Sequence, residues 1–103
     1  MPTAYVTAPR DEAETLARRL VDERLAACVN VVPCTSVYRW EGAVHEDAEA
    51  VLLAKTTDDR YPRLADRVAE LHPHDVPCVE RIDVADVHEP FADWCAAAVS
   101  PEE

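Results

Sequence analysis

Glycine is nearly absent from this chain: Gly42 is the only one in 103 residues. One glycine cannot build a dinucleotide-binding fingerprint or a P-loop, both of which need several for close backbone approach to phosphate. Lysine is just as scarce, with Lys55 standing beside nine arginines. No GxSxG elbow and no HExxH zinc helix occurs. Cys28, Cys34, Cys78 and Cys95 show no CxxC spacing, so buried free thiols are expected rather than a disulfide framework. Apolar runs stop well short of the roughly 20 residues that cross a bilayer. The opening Met-Pro-Thr-Ala-Tyr-Val has neither the basic region nor the apolar core of a signal peptide, and a soluble cytoplasmic protein is expected.

Acid is what the chain has in excess. Twenty-one Asp and Glu face ten basic residues, for a formal net charge of −11. Such a balance repels phosphate backbones and anionic lipid, so nucleic-acid and membrane roles are not expected. The acids are spread along the chain rather than blocked, which reads as a solvated surface of a salt-adapted protein. A hydrophobic content of 49% suits a globular fold, and the length fits a single domain over residues 1–103.

The apolar pattern alternates between the two regular periods. Residues 4–8 form a short strand ended by Pro9. Asp11 and Glu14 have capping-box spacing ahead of Ala13, Leu16, Ala17 and Leu20, which predicts an amphipathic helix of about 15 residues. A β-branched run from Ala27 leads to Pro33, where a bulge or bend is expected, and Ser36–Trp40 resumes the strand. Glu41-Gly42 then predicts a tight hairpin turn, and the returning strand runs from about Ala43 to Thr57. A second helix, capped by Asp58 or Asp59, carries Leu64, Val68 and Leu71 on one face and stops at His72-Pro73. Cys78–Val84 reads as a fourth strand. A last helix near 89–99 places Phe91, Trp94, Cys95 and Ala98 on one stripe, read as packing.

The order strand-helix-strand, strand-helix-strand predicts an α+β, ferredoxin-like split βαβ-βαβ antiparallel sheet with an extra C-terminal helix. Right-handed crossovers put the first two helices on one face. The other face then lacks cover, although Ala50-Val-Leu-Leu-Ala54 is continuously apolar. Another copy of the chain is the expected cover, with Tyr38 and Trp40 near the contact.

The densest chemistry lies in His72-Pro-His74-Asp75-Val-Pro-Cys78. Two imidazoles, a carboxylate and a thiol are donors suited to copper or zinc, held by two prolines. The plainer alternative is a helix-to-strand connection whose polar groups satisfy local backbone. A Cys–His nucleophilic pair, Cys28 or Cys78 with His72, has no third group brought to it by any sequence rule.

Four blocks carry a resemblance: Ala26-Ala-Cys-Val-Asn30, Ser36-Val-Tyr-Arg-Trp-Glu-Gly42, Leu53-Ala-Lys-Thr-Thr57 and Leu71-His-Pro-His-Asp-Val-Pro77. In this order, over nearly the whole chain, they resemble the CutA divalent-cation-tolerance proteins. The resemblance implies a PII-like ferredoxin fold, a homotrimer, possible copper or zinc binding at an intersubunit cleft, and no established catalysis. It points to His72 and Cys28 as metal ligands, and to Tyr38, Trp40 and Lys55 as hairpin and cleft residues. His74, Asp75 and Cys78 depart from the family's usual block, and His74 and Cys78 are softer donors that could rebuild a site. The alternative is a PII-like regulatory module that binds a small molecule or a protein without metal.

Overall fold

The computed structural model describes residues 1–101. Seven elements follow in order: β1 (Pro2–Pro9), α1 (Ala13–Asp22), β2 (Cys28–Trp40), β3 (Ala43–Lys55), α2 (Tyr61–Leu71), β4 (Val79–Asp83) and α3 (Glu89–Ala98). The four strands form one antiparallel sheet in the order β2-β3-β1-β4. This is the split βαβ arrangement with an additional helix, as the element order predicts. Among the described residues no helix is long and apolar enough to cross a membrane.

Side-chain alternation decides which face is dry. Ala4, Val6 and Ala8 of β1 pair with Ala54, Leu52 and Ala50 of β3, and all six are essentially unexposed beneath α1 and α2. The helices contribute Ala13, Leu16, Ala17, Leu20, Leu64 and Val68 to the same core. Each large aliphatic group buried this way is worth about 1.5–3 kcal/mol. The apolar run Ala50–Ala54 therefore splits by parity. Val51 and Leu53 point to the second face, where they are only half-buried.

Several local expectations are corrected. Pro33 causes no break: β2 runs unbroken from Cys28 to Trp40, with Pro33 in register opposite Ala50. β2 is an edge strand, and a proline whose missing N–H falls on an open edge interrupts no ladder. The Asp11–Glu14 capping box does not form, and α1 spans 10 residues rather than about 15. Its N-cap is Glu12, in a helical backbone conformation that gives no side-chain cap; a turn from the Glu12 N–H to the Pro9 carbonyl makes the entry instead. Arg24, at φ 60°, ends this helical stretch. Asp58 and Asp59 do not cap α2 either. Its N-cap is Arg60, the turn closes on the Thr57 carbonyl, and Asp59 accepts the Thr57 hydroxyl at 2.7 Å.

The hairpin turn forms as its residues dictate. Trp40 pairs with Ala43, leaving two loop residues, Glu41 at φ 51° and Gly42 at φ 81°. Two successive positive φ values define the tight turn that matches strand twist. The second face is also not wholly bare within one chain. Cys95 of α3 and Val99, the residue that ends it, bury against Ala27, with Met1, Phe91 and Ala98 around them. Of the predicted α3 stripe, Trp94 stays 51% exposed, stacked on Phe91 at 5.8 Å.

Candidate functional site

β1 pairs with β3 only as far as Pro9 opposite Glu49. Beyond that point the Arg10 N–H still donates to the Ala48 carbonyl at 3.3 Å, and β2 and β3 then continue as a two-stranded arm, from Thr35 opposite Ala48 to Trp40 opposite Ala43. The arm projects by about 20 Å at the usual rise per residue. On the other side of this junction, the connection from α2 to β4 folds over the end of the sheet. A cavity of about 630 Å³ opens between arm and connection. Its walls are Thr7 and Glu49 from the sheet, Ser36, Tyr38 and Trp40 from the arm, and His74, Asp75 and Cys78 from the connection.

His72 stands behind this cavity, bonded to two of its walls, Thr7 and His74. Its backbone N–H ends α2 on the Val68 carbonyl at 2.8 Å, and its own backbone is already extended because Pro73 follows. The residue is 8% exposed. Nδ1 accepts the His74 N–H at 3.0 Å, which leaves the ring proton on Nε2, and Nε2 donates to the Thr7 carbonyl at 2.7 Å. Both ring nitrogens are thus spent on backbone. His72 has no lone pair left to ligate an ion or to take a proton from a thiol, and it works as a staple.

The remaining sequence candidates separate into two places. His74, Cys78, Tyr38 and Trp40 share the cavity. Cys28 and Lys55 face each other at the opposite end of the sheet, level with Thr3, whereas Cys78 neighbours Thr7. Those levels differ by about 13 Å along the strand, before any distance across strands is added. There the Lys55 ammonium donates to the Asn30 side chain. Burial above all pushes the Cys95 thiol up, with the neighbouring Cys28 adding and the Lys55 ammonium offsetting it in part. Among the described residues no three His, Cys, Asp or Glu side chains converge on one point as metal ligands must. The donors of a single chain therefore do not fit a closed metal site.

The electrostatics of the cavity are acidic. Burial first, then the charge of Glu80, with Glu49 adding, pushes the Cys78 thiol up; contact with Thr7 offsets this in part. A thiol held protonated is a weak nucleophile and a weak ligand. The Tyr38 hydroxyl donates to Asp47, and this bond above all raises the phenol, aided by burial and by the charges of Asp47 and Glu49. The Tyr38 ring stacks on His45, its cross-strand partner, at 5.5 Å. Glu49 is 5% exposed as a residue and lines the cavity; among the described residues no hydrogen bond or ion pair reaches its carboxylate, and its oxygens keep their contact with solvent. Its backbone carbonyl accepts from Arg10 Nε at 3.1 Å, and the same guanidinium reaches the Cys34 carbonyl at 2.6 Å. Sequence reasoning missed Glu49, one acid among many. The signal was its place, directly before the Ala50–Ala54 run, where a solvated acid is out of character.

Comparison with known proteins agrees with this architecture. The family model for CutA1 divalent ion tolerance protein matches residues 3–98. The divalent-cation tolerance protein CutA of Thermus thermophilus is 50% identical over 86% of this chain and 88% of its own. That of Pyrococcus horikoshii is 42% identical over 91% of this chain and 93% of its own. A solved structure described as the PII-like protein CutA from Nostoc superposes with a TM-score of 0.93, at 33% identity, covering 97% of this chain and 98% of that one. The continuous match, the shared sheet and the hairpin arm leave one assignment: this chain belongs to the CutA divalent-cation-tolerance family and has its PII-like fold.

Proposed function

We propose that the protein is a PII-like binding module of the cation-tolerance family, a homotrimer that holds a small ligand between arm and connection and makes or breaks no bonds. The cavity carries this reading. At about 630 Å³, with aromatic walls and a few polar groups, it matches the size and lining of small-molecule sites. The arm supports the oligomer, because an isolated two-stranded hairpin is marginal in water and this one leaves Val37 and Val44 more than 60% exposed. Four free thiols are in keeping with a reducing cytoplasm.

Two measurements test it. Light scattering after size exclusion in molar salt is expected to give three chains per particle; a stable monomer there would remove the oligomer. Salt matters because each chain carries a formal charge of −11 and copies repel at low ionic strength. Trp40→Ala is expected to weaken the shifts that small organic probes induce at Tyr38 and its neighbours in the cavity, while leaving the far-ultraviolet circular dichroism unchanged.

Copper or zinc capture is a second reading, favoured by one observation: His74 and Cys78 line the same wall. It requires at least one more donor from a neighbouring copy, and it requires Cys78 to lose a proton that its surroundings retain. Titration of reduced protein with Zn(II) and Cu(I) decides it. Equal binding by the wild type and by Cys78→Ser would end the reading.

A further inference from the structure

We infer that Arg10 is a clamp that sets the angle of the arm against the sheet, and with it the opening of the cavity between arm and connection. The inference rests on the cavity being the ligand site, and it names the residue that governs the arm-side wall of that site.

The position of Arg10 is the first ground. Cys34 opposite Glu49 is the last β2–β3 pair that β1 still supports, through Pro9 opposite Glu49. Arg10 follows directly, and its guanidinium donates to the backbone carbonyls of both members of that pair. Nε reaches Glu49 at 3.1 Å and Nη2 reaches Cys34 at 2.6 Å. Its own N–H donates to the carbonyl of Ala48, the arm residue next to that pair. A guanidinium holds its donors in one rigid plane, so two bonds to two strands fix a direction as well as a distance. This arginine is spent on carbonyls in a chain with 21 acids: among the described residues it forms no ion pair.

Leverage is the second ground. Past this pair the arm has only its own two strands, and the molecule is drawn out to 45 Å in its longest direction against 26 and 20 Å in the others. A rotation of about 10° at the base carries the tip through about 3.5 Å over the ~20 Å length of the arm. Tyr38 and Trp40 ride on that arm, whereas Pro73, His74 and Val76 stand on the connection. His72 ties the connection to β1. One wall is therefore stapled by His72, and the other turns on the pair that Arg10 holds. Arg10 is not among the residues lining the cavity, so it acts on an occupant only through the arm.

The test uses the assembled protein, with amide nitrogen relaxation to follow the arm and phenol as a probe of the cavity. In the wild type, amides of residues 36–40 and 43–47 are expected to be as ordered as those of 4–8, with order parameters near about 0.85. Arg10→Ala should lower the arm values below about 0.7 and leave 4–8 unchanged. It should also weaken the phenol-induced shifts at Tyr38 and Cys78 about threefold or more, because the arm then spends less time in the binding position. Arg10→Lys keeps the charge without the fork and should fall between the two. Circular dichroism and light scattering establish that both variants fold and assemble. An arm equally ordered in Arg10→Ala, or full rescue by Arg10→Lys, overturns the clamp but leaves the cavity as a ligand site. A loosened arm with unchanged phenol binding overturns the link from clamp to cavity, and with it the inference. No phenol shift in the wild type overturns the cavity reading and the claim on its opening, while the relaxation data still decide the clamp.

Discussion

The same two strands lead different lives at their two ends. Between Cys28 and Pro33, β2 lies against a β3 segment that is itself joined to β1 and roofed by helices. Past Glu49 the same pair runs on alone as the arm. Apolar residues occur in both halves. In the first half Leu52 is unexposed; in the second, Val37 is 65% and Val44 63% exposed. The arm is the more polar half, with Arg39, His45, Glu46 and Asp47, yet the apolar residues it does carry lack the cover that one chain gives Leu52. The cavity lies where the two regimes meet, so it has a rigid floor and an arm for a wall.

Substitutions can sharpen this contrast. Leu52→Ala should cost about 3–4 kcal/mol in urea unfolding, the usual penalty for a cavity in a closed core. Val37→Thr should cost at most about 0.5 kcal/mol if the arm stays in water. A larger, concentration-dependent loss at Val37 would report another chain on the arm. His72→Ala removes two backbone contacts from a buried ring and should cost about 2 kcal/mol, with faster amide exchange at His74 as its local mark. At the tip, Glu41→Asn should stabilise by about 0.5 kcal/mol, because asparagine tolerates the positive φ that glutamate holds there.

The smallest expected effect is on the helix side. Glu23 accepts from Arg67 at 2.8 and 3.0 Å and from Arg19 at 3.1 Å, tying α1 to α2. The Arg67 bonds above all hold its carboxyl below the ordinary 4.5. A carboxyl lowered in the folded state binds its proton more readily when unfolded. Its stabilisation is therefore complete above about pH 4.5 and fades as the pH falls through the lowered value. Glu23→Gln should flatten this part of the pH dependence of the urea midpoint, and 1 M salt should mute it in the wild type.

The elements were legible because parity and helical spacing are local. Leu16, Leu20, Leu64 and Val68 declare their face at intervals of three and four, and Glu41-Gly42 declares its turn. The details that failed depend on tertiary surroundings. Asp11 looks like a cap until a turn over Pro9 makes one unnecessary, and Pro33 looks like a break until β2 is known to be an edge. The site was half legible for the same reason. His74, Cys78, Tyr38 and Trp40 advertise themselves by residue type, and the fold does gather them. The family resemblance named Cys28 and Lys55, which the register sends to the far end of the sheet. Glu49 could be recognised only from its burial, which no local pattern records.

His72 joins three parts of the molecule through three hydrogen bonds: its main chain closes α2, one ring nitrogen holds β1 at Thr7, and the other holds the connection at His74. Thr7 and His74 are both cavity walls. Any occupant that draws those walls together also tightens the ring's two bonds, and through them the last turn of a helix on the opposite side of the sheet. Were a ligand in the cavity to tighten those bonds, linkage would require the converse as well, that fixing the end of α2 tighten its binding. A residue that looked like a ligand is thereby the point at which helix, sheet and connection meet.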